Sequence, residues 1–371
     1  MTGPLSSARR IILKVGSALI CEDGRARADW LASLAGDVAA LMTGGKNVIL
    51  VSSGAIALGR AALGRVSLGK LEEKQAAAAF GQSQLVRALE AAFAPHGLPV
   101  AQALITLEDT ERRRRWLNAR ATLETILAAG GVPVINENDT VATEEIRYGD
   151  NDRLAARVAQ MLMADVLVLL SDVDGLYTGD PHRDPTARHI PVIEQLTPDH
   201  GAMARGANAK SGLGTGGMET KLAAAKIAVN AGCTTIIANG RTDEPLSALT
   251  AGARHTVIPA QLSPLDARRQ WLTGNLDPEG EISIDAGAVR ALRGGASLLP
   301  VGVSAVSGVF DRGAAIAICD SEKRQVAKGV TAYSAQDIAS IMGLHTTAVE
   351  EKLGYRGRPA IVHRDDLVLA P

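Results

Sequence analysis

The order of apolar and polar positions predicts an α/β fold for the larger, N-terminal part of the chain. Short apolar runs, which indicate strands, occur at residues 11–13, 48–51, 99–104, 132–135 and 166–170. Stretches with helical periodicity follow them, at residues 29–42, 71–94, 152–163 and 218–230 and from an N-cap at Asp109 or Thr110 to residues 130–131. Strands that alternate with helices of this length are typical of a doubly wound, mainly parallel sheet.

The pattern changes near residue 275. A polar segment with Pro and Gly, residues 275–280, indicates a domain boundary. Shorter β-like runs follow at close spacing, at residues 281–284, 301–303, 314–318, 325–330 and 360–363. We therefore expect a doubly wound α/β domain at residues 1–275 and a small β-barrel-like domain with short helices at residues 276–371.

Composition and charge narrow the class of protein. The chain has 371 residues, of which 46% are hydrophobic and 21% are charged, as in ordinary globular proteins with more than one core. Its net charge of -1 gives no electrostatic reason to expect nucleic acid or an acidic membrane as the main partner. Cys21, Cys233 and Cys319 lack metal-ligand spacing, and the first apolar run is too short for a signal peptide or a membrane span. We expect a cytoplasmic protein.

A glycine-rich segment at residues 211–221 has the character of an anion site. Glycine brings backbone N–H groups close to a ligand, and the helix predicted from residue 218 adds the positive end of its dipole. Lys221 in the first turn opposes that dipole, and a bound anion such as polyphosphate would reverse the penalty. A glycine-rich loop without a ligand is the ordinary alternative. The segment also fits the G-x-G-x-x-G pattern of nicotinamide-dinucleotide sites, but residues 201–210 do not form the strand that this pattern requires.

Polar side chains follow the predicted strands at the point where each strand ends. Lys14, Ser53, residues 136–139 and residues 171–172 all occupy such positions. Ligands of open α/β sheets bind beyond the carboxyl ends of the strands, so we expect these residues at one edge of the sheet. Lys14 and Lys221 would then form a pair of charges around one phosphoryl group, whose transfer depends on positioning and charge neutralisation.

Acidic residues complete this hypothesis. Residues 149–152 read Gly-Asp-Asn-Asp. A helix N-cap is their simplest interpretation, although two carboxylates in one turn are also suited to orienting lysines or to binding Mg²⁺.

The seven histidines lie outside every motif above. An alcohol acceptor would need a general base, whereas a carboxylate acceptor with a pKa of about 4.3 is already ionised at neutral pH.

Six segments together resemble the glutamate 5-kinase branch of the amino acid kinase family: residues 14–17, 51–55, 133–139, 149–152, 175–178 and 212–221. The C-terminal part resembles a PUA domain. The resemblance covers essentially the whole chain, and it implies ATP-dependent phosphorylation of the side-chain carboxylate of L-glutamate to L-glutamyl 5-phosphate. It further implies that this is the first step of proline biosynthesis, that Mg²⁺ is required, and that L-proline is a feedback inhibitor.

The resemblance also implies roles for individual residues. Lys14 and Lys221 would stabilise the transferring phosphoryl group, with Asp152 orienting both lysines. Ser53, Asp139 and Asn151 would bind glutamate, and Asp150 is the candidate metal ligand. The ATP-binding residues would be Lys14, Ser171, Asp172, Thr215, Gly216, Gly217, Met218, Glu219, Thr220 and Lys221. Ser171 stands where many relatives have Thr, so the hydroxyl is kept.

Other interpretations remain open at the level of sequence. Within the kinases, aspartate, acetylglutamate and carbamate are alternative acceptors. A PUA-like domain suggests RNA binding, but residues 279–371 hold about as many acidic as basic residues and no basic stripe. We therefore expect no tight, salt-sensitive RNA binding, no membrane contact, and a homo-oligomer, either a dimer or a tetramer.

Overall fold

The computed structural model describes residues 3–64, 68–142, 150–181, 184–207, 217–275, 277–355 and 357–370, without the side chains of residues 150, 205–207, 274 and 275. The chain divides into two compact units, Met1–Pro264 and Leu265–Pro371.

Eleven strands of the first unit lie within the described residues. They are β1 (Arg10–Val15), β2 (Cys21–Glu22), β3 (Arg25–Ala26), β4 (Asn47–Ser52), β5 (Val100–Ile105), β6 (Val132–Glu137), β7 (Val166–Ser171), β8 (Leu176–Tyr177), β9 (His189–Ile190), β10 (Thr234–Asn239) and β11 (His255–Ile258). Seven of them form one sheet in the order β11-β10-β7-β1-β4-β6-β5. All neighbours in it are parallel except β10 and β11. The predicted mainly parallel sheet is confirmed.

Helices cover both faces of this sheet. They are α1 (Pro4–Ser7), α2 (Ser17–Ile20), α3 (Ala28–Thr43), α4 (Ala55–Gly59), α5 (Leu71–Phe93), α6 (Leu107–Glu111), α7 (Arg113–Ala128), α8 (Asp150–Leu162), α9 (Pro198–Ala207), α10 (Met218–Asn230) and α11 (Pro245–Thr250). Because side chains alternate along a strand, Leu13 joins the core beneath α3 and α5, and Ile12 joins the core beneath α8 and α10. The same alternation turns Lys14 toward α8 and α10.

Two helices cross at glycines. A Cβ atom on Gly81 of α5 would lie 1.7 Å from the carbonyl oxygen of Ala55 in α4, and one on Gly59 would lie 1.9 Å from that of Ala77. Backbone oxygens cannot move aside as a flexible side chain would, so only hydrogen fits at these two positions. This close crossing fixes α4, and with it the segment that follows β4, against the long helix α5.

Two predictions of secondary structure in the first unit were wrong, and two strands of its seven-stranded sheet were missed. The N-cap is neither Asp109 nor Thr110 but Thr106, whose hydroxyl accepts a hydrogen bond from the Asp109 backbone N–H at 3.1 Å in a capping box. The expected single helix is broken at Arg112, where an extended backbone separates α6 from α7. Strands β10 and β11 were not predicted, because their threonines, and in β11 a length of four residues, give only a weak apolar pattern.

The second unit contains a mixed five-stranded sheet and its own core. Its strands are β12 (Gly280–Ile284), β13 (Val303–Gly308), β14 (Ala315–Cys319), β15 (Gln325–Val330) and β16 (Leu367–Leu369), in the order β13-β12-β14-β15-β16. Its helices are α12 (Pro264–Asn275), which begins at the last residue of the first unit, α13 (Ala286–Arg293), α14 (Ala335–Ile341) and α15 (Thr346–Leu353). The run predicted as a strand at residues 360–363 makes only an isolated bridge, Leu298 to Val362.

Candidate active site

A buried cluster of three charged side chains lies where β1, α8 and α10 meet. Lys14 is the fifth residue of β1, Asp152 lies in the first turn of α8, and Lys221 lies in the first turn of α10. Their exposed fractions are 6%, 0% and 3%. Lys14 Nζ is 2.5 Å from Asp152 Oδ1, and Lys221 Nζ is 3.7 Å from Asp152 Oδ2. The structure thus brings together the three residues that the sequence assigned to catalysis.

The charges of this cluster do not cancel. Two ammonium groups and one carboxylate leave one net positive charge in a place from which water is largely excluded. Burial raises the pKa of Asp152, but the two lysines and the hydroxyl of Thr220 outweigh it and hold the pKa below its ordinary value. Burial also lowers the pKa of Lys221, and the nearby Asp152 only partly offsets it. A second anion beside the lysines would compensate the remaining charge.

Helix α10 directs its N-terminus at this cluster. The N-cap is Gly217, with φ -70° and ψ 173°, and no side chain of the described residues caps the helix there. The first turn carries Thr220, whose Oγ1 lies 2.9 Å from Asp152 Oδ2, and then Lys221. A helix N-terminus without a side-chain cap is a favourable place for a phosphate group. Met218 packs into the core beside it, which leaves the predicted nucleotide residues 217–221 at the start of one well-packed helix.

Residues 171–172 lie at the carboxyl end of β7, as expected. Ser171 ends β7, and its hydroxyl donates to Asp172 Oδ1 at 3.0 Å. Asp172 also contributes to the electrostatic surroundings of Lys221. Arg241 lies 3.8 Å from Asp172 Oδ2, and sequence reasoning missed it because it follows the unpredicted strand β10. An alternation of Thr and Ile at residues 234–237 was the available signal for that strand.

A hydrogen-bonded path joins this edge to helix α3. The N–H of Gly240 donates to the Ser171 carbonyl oxygen at 2.7 Å, and the Gly240 carbonyl oxygen accepts from Trp30 Nε1 at 2.7 Å. A Cβ atom on Gly240 would lie 2.5 Å from Leu19 Cδ1. The backbone after β10 is therefore held closely against β7 and α3.

The predicted glutamate-binding residues lie at the same edge of the sheet. Ser53 follows β4, and its N–H donates to the Val15 carbonyl oxygen at 3.2 Å, directly after Lys14 in β1. Asp139 follows β6 and is buried. Asn151 precedes Asp152 in α8, and its Oδ1 is buried and has no hydrogen-bond partner among the described residues. Buried polar atoms in folded proteins are nearly always satisfied, so this oxygen marks a place where a donor from a ligand would fit.

Some predicted residues lie outside the described part of the chain. These are Thr215 and Gly216, with the rest of residues 208–216, and the side chain of Asp150. Their assignment to ATP and to the metal remains a prediction. Within the described residues, no group of three or more His, Cys, Asp or Glu side chains is placed to hold a metal ion. None of the described helices is long and apolar enough to cross a membrane.

Family models and known proteins match this chain over most of its length. The model of the amino acid kinase family matches residues 9–239, and that of the PUA domain matches residues 280–353. A glutamate 5-kinase of Caulobacter vibrioides is 55% identical, over 99% of this chain and 98% of its own length. One of Paramagnetospirillum magneticum is 53% identical, over 99% of each chain. Among solved structures, the isopentenyl phosphate kinase of T. acidophilum is 19% identical with a TM-score of 0.45, over 67% of this chain and 99% of that one.

Proposed function

The chain belongs to the amino acid kinase family, and on that premise we propose that it transfers the γ-phosphoryl group of ATP to the side-chain carboxylate of L-glutamate. The product would be L-glutamyl 5-phosphate, formed in the first step of proline biosynthesis. The observation that supports this proposal best is the buried Lys14–Asp152–Lys221 cluster, with its net positive charge at the N-terminus of α10. The name shared by relatives that are more than half identical supports glutamate as the acceptor.

The cluster suits a reaction between two anions. A glutamate carboxylate oxygen attacks the γ-phosphorus, the bond to the β,γ-bridging oxygen breaks, and ADP leaves with that electron pair. The ionised carboxylate carries no proton to remove, so the reaction needs no general base. Lys14 and Lys221 would neutralise charge on the transferring group, and Asp152 would hold Lys14 in place by direct contact. Mg²⁺ bound to the ATP phosphates would add charge neutralisation, with Asp150 as its proposed protein ligand.

The remaining residues would define the two substrates. The Asp139 carboxylate and the buried Asn151 Oδ1 are acceptors, which suits the α-ammonium group of glutamate, and the Ser53 hydroxyl would bind a carboxylate. The proposed ATP-binding residues lie at two places. Ser171 and Asp172 lie at the end of β7, and residues 217–221 lie at the start of α10. Thr215 and Gly216 would extend that site. We assign both substrate sites to the N-terminal domain that we predicted at residues 1–275.

An acceptor panel tests the proposed reaction. With ATP and Mg²⁺, we expect ADP release and a hydroxylamine-trapped acyl phosphate with L-glutamate. Aspartate, acetylglutamate and carbamate should give little of either. Efficient turnover of another member of the panel would leave a kinase but refute glutamate as its acceptor. Absence of ADP release with every acceptor would refute the kinase itself.

From the similarity to glutamate 5-kinases we also propose feedback inhibition by L-proline. L-Proline, the end product of the pathway, should lower the rate of hydroxamate formation, and D-proline at the same concentration serves as the control. Equal rates with and without L-proline would contradict this regulation and leave the catalytic proposal intact.

We also propose a cytoplasmic homo-oligomer, a dimer or a tetramer, which sedimentation analysis of the full chain would distinguish from a monomer.

We propose that the second unit does not bind RNA tightly, despite its PUA domain. Acidic and basic residues are nearly balanced in residues 279–371, and phosphate contacts need an excess of Lys and Arg. A filter-binding titration with single- and double-stranded RNA at about 150 mM salt should show only weak binding. A submicromolar affinity that falls steeply as salt increases would overturn this prediction.

A further inference from the structure

The hydroxyl group of Thr220 lies between two acceptors. Its Oγ1 is 2.9 Å from Asp152 Oδ2 and 2.8 Å from the carbonyl oxygen of Gly217, one turn earlier in its own helix. A hydroxyl has one proton and can direct it at one of these oxygens at a time. Hydrogen bonds to an ionised acceptor are about twice as strong as those between neutral groups. The carboxylate of Asp152 is therefore the favoured acceptor.

The two lysines approach Asp152 unequally. Lys14 makes a contact ion pair with Oδ1 at 2.5 Å, whereas Lys221 stays 3.7 Å from Oδ2. The second distance exceeds the usual range for an N–H···O hydrogen bond, about 2.7–3.2 Å. Oδ2 is the oxygen that Thr220 contacts. The hydroxyl thus occupies the side of the carboxylate to which the Lys221 ammonium group is nearest.

We propose that Thr220 is a positioning residue that keeps Lys221 from closing into a contact ion pair with Asp152. Thr220 and Lys221 are adjacent in the first turn of α10, so the helix fixes the spacing between the hydroxyl and the lysine stem. Without the hydroxyl, the ammonium group would move onto Oδ2, as Lys14 already has on Oδ1. Its charge would then be neutralised in the ground state and would stabilise the transferring phosphoryl group less. The inference rests on the proposed function for the identity of that group.

Two substitutions separate the hydroxyl from the shape of the side chain. Thr220→Val keeps the β-branched shape and removes the donor, whereas Thr220→Ser keeps the donor and removes a methyl group. We expect kcat to fall about 10- to 100-fold in the Val variant, with the KM for glutamate nearly unchanged. The Ser variant should recover most of the lost rate. A role in packing alone would give the opposite order, with the Ser variant the more impaired of the two.

A second readout reports on Lys221 without activity. Asp152, Lys14 and Asp172 are the charged groups that act on Lys221. In the full chain labelled with ¹³C at lysine Cε, the Lys221 signal is assigned by its loss in Lys221→Met, and its pKa is followed by NMR. We expect the pKa of Lys221 to rise in Thr220→Val, because the carboxylate comes closer, and to stay at the wild-type value in Thr220→Ser.

The outcomes keep this inference apart from the proposed function. An unchanged pKa of Lys221 in Thr220→Val, or unchanged kcat in that variant, would overturn the positioning role. If the wild-type protein forms no acyl phosphate from glutamate while the pKa of Lys221 still rises in Thr220→Val, the proposed function is refuted and the contact between Thr220 and Asp152 retains its role in positioning Lys221.

Discussion

Replacing Lys221 by methionine should lower kcat for glutamate phosphorylation by about 10³-fold, because one of two buried cations facing the transferring group is lost. Methionine keeps most of the length of the lysine stem, so the packing of α10 should survive. The stability of the fold should not fall. Burial already lowers the pKa of Lys221, which means that burial disfavours its charged form, and Asp152 keeps its contact with Lys14 in the variant.

The comparison for this variant lies on the same helix. Lys226 is exposed one and a half turns further along α10, and Lys226→Met removes an equal charge without touching the cluster. Hydroxamate formation gives kcat for both variants, and thermal unfolding gives their stability. Near-normal turnover in Lys221→Met would refute the assigned role of this lysine. A large drop in melting temperature would show instead that its side chain holds the fold together.

Replacing Asp152 by asparagine should cost both activity and stability. The carboxylate is fully buried, and its removal takes away the counter-ion that two ammonium groups share in a region of low dielectric. Breaking a buried ion pair in this way typically destabilises a protein by about 3–5 kcal/mol. The loss of stability should exceed that of Lys221→Met, since that variant keeps one lysine paired with one carboxylate.

The pH dependence of this effect has a definite sign. In the wild type, the pKa of Asp152 is lower in the folded state, so its stabilising contribution is present at neutral pH and disappears as pH falls below about 4 toward that lowered pKa. In Asp152→Asn, the pKa of Lys221, which burial already lowers, should fall further below about 10.4, the unfolded value of a lysine. The destabilisation is therefore present at neutral pH and is relieved as pH rises from the pKa of Lys221 in the folded variant toward its unfolded value.

Urea unfolding at two pH values measures this effect. The difference in unfolding free energy between wild type and Asp152→Asn should shrink between about pH 7 and about pH 10. Asp29→Asn is the control, since Asp29 also lies in the first turn of a helix but is exposed. A difference that stays constant with pH would mean that the two lysines are not left charged and buried in the variant.

Much of the fold could be predicted from the sequence, because the pattern that predicts a strand or a helix lies within the residues of that element. The runs at residues 48–51 and 166–170 are apolar on both faces, as strands buried between two helical layers must be, and both form central strands. The resemblance to the glutamate 5-kinase branch is confirmed by relatives that are more than half identical to the chain. Strand β10 was not predicted, because Thr234 and Thr235 interrupt its apolar pattern.

From the residues themselves, the site was predictable where a strand end or a helix start decides the position. The position of Lys14 at the ligand-binding edge could be predicted, because the parallel strands of the sheet have their carboxyl ends at the same edge. The contact between Thr220 and Asp152 does not, because it depends on how α8 and α10 are rotated against each other. Arg241 was missed for a related reason: its place beside Asp172 depends on β10 being the neighbour of β7, which the sequence did not reveal.

The hydrogen bond between Trp30 and Gly240 gives this protein an intrinsic optical reporter. The indole of Trp30 is buried and donates a hydrogen bond to Gly240, whose N–H donates to the Ser171 carbonyl oxygen. Trp116 and Trp271 lie on other helices. A nucleotide that alters the backbone at Ser171 would change the environment of one indole out of three. Fluorescence of a chain that retains only Trp30 would therefore follow occupancy of that edge in real time, without a label or a coupled enzyme.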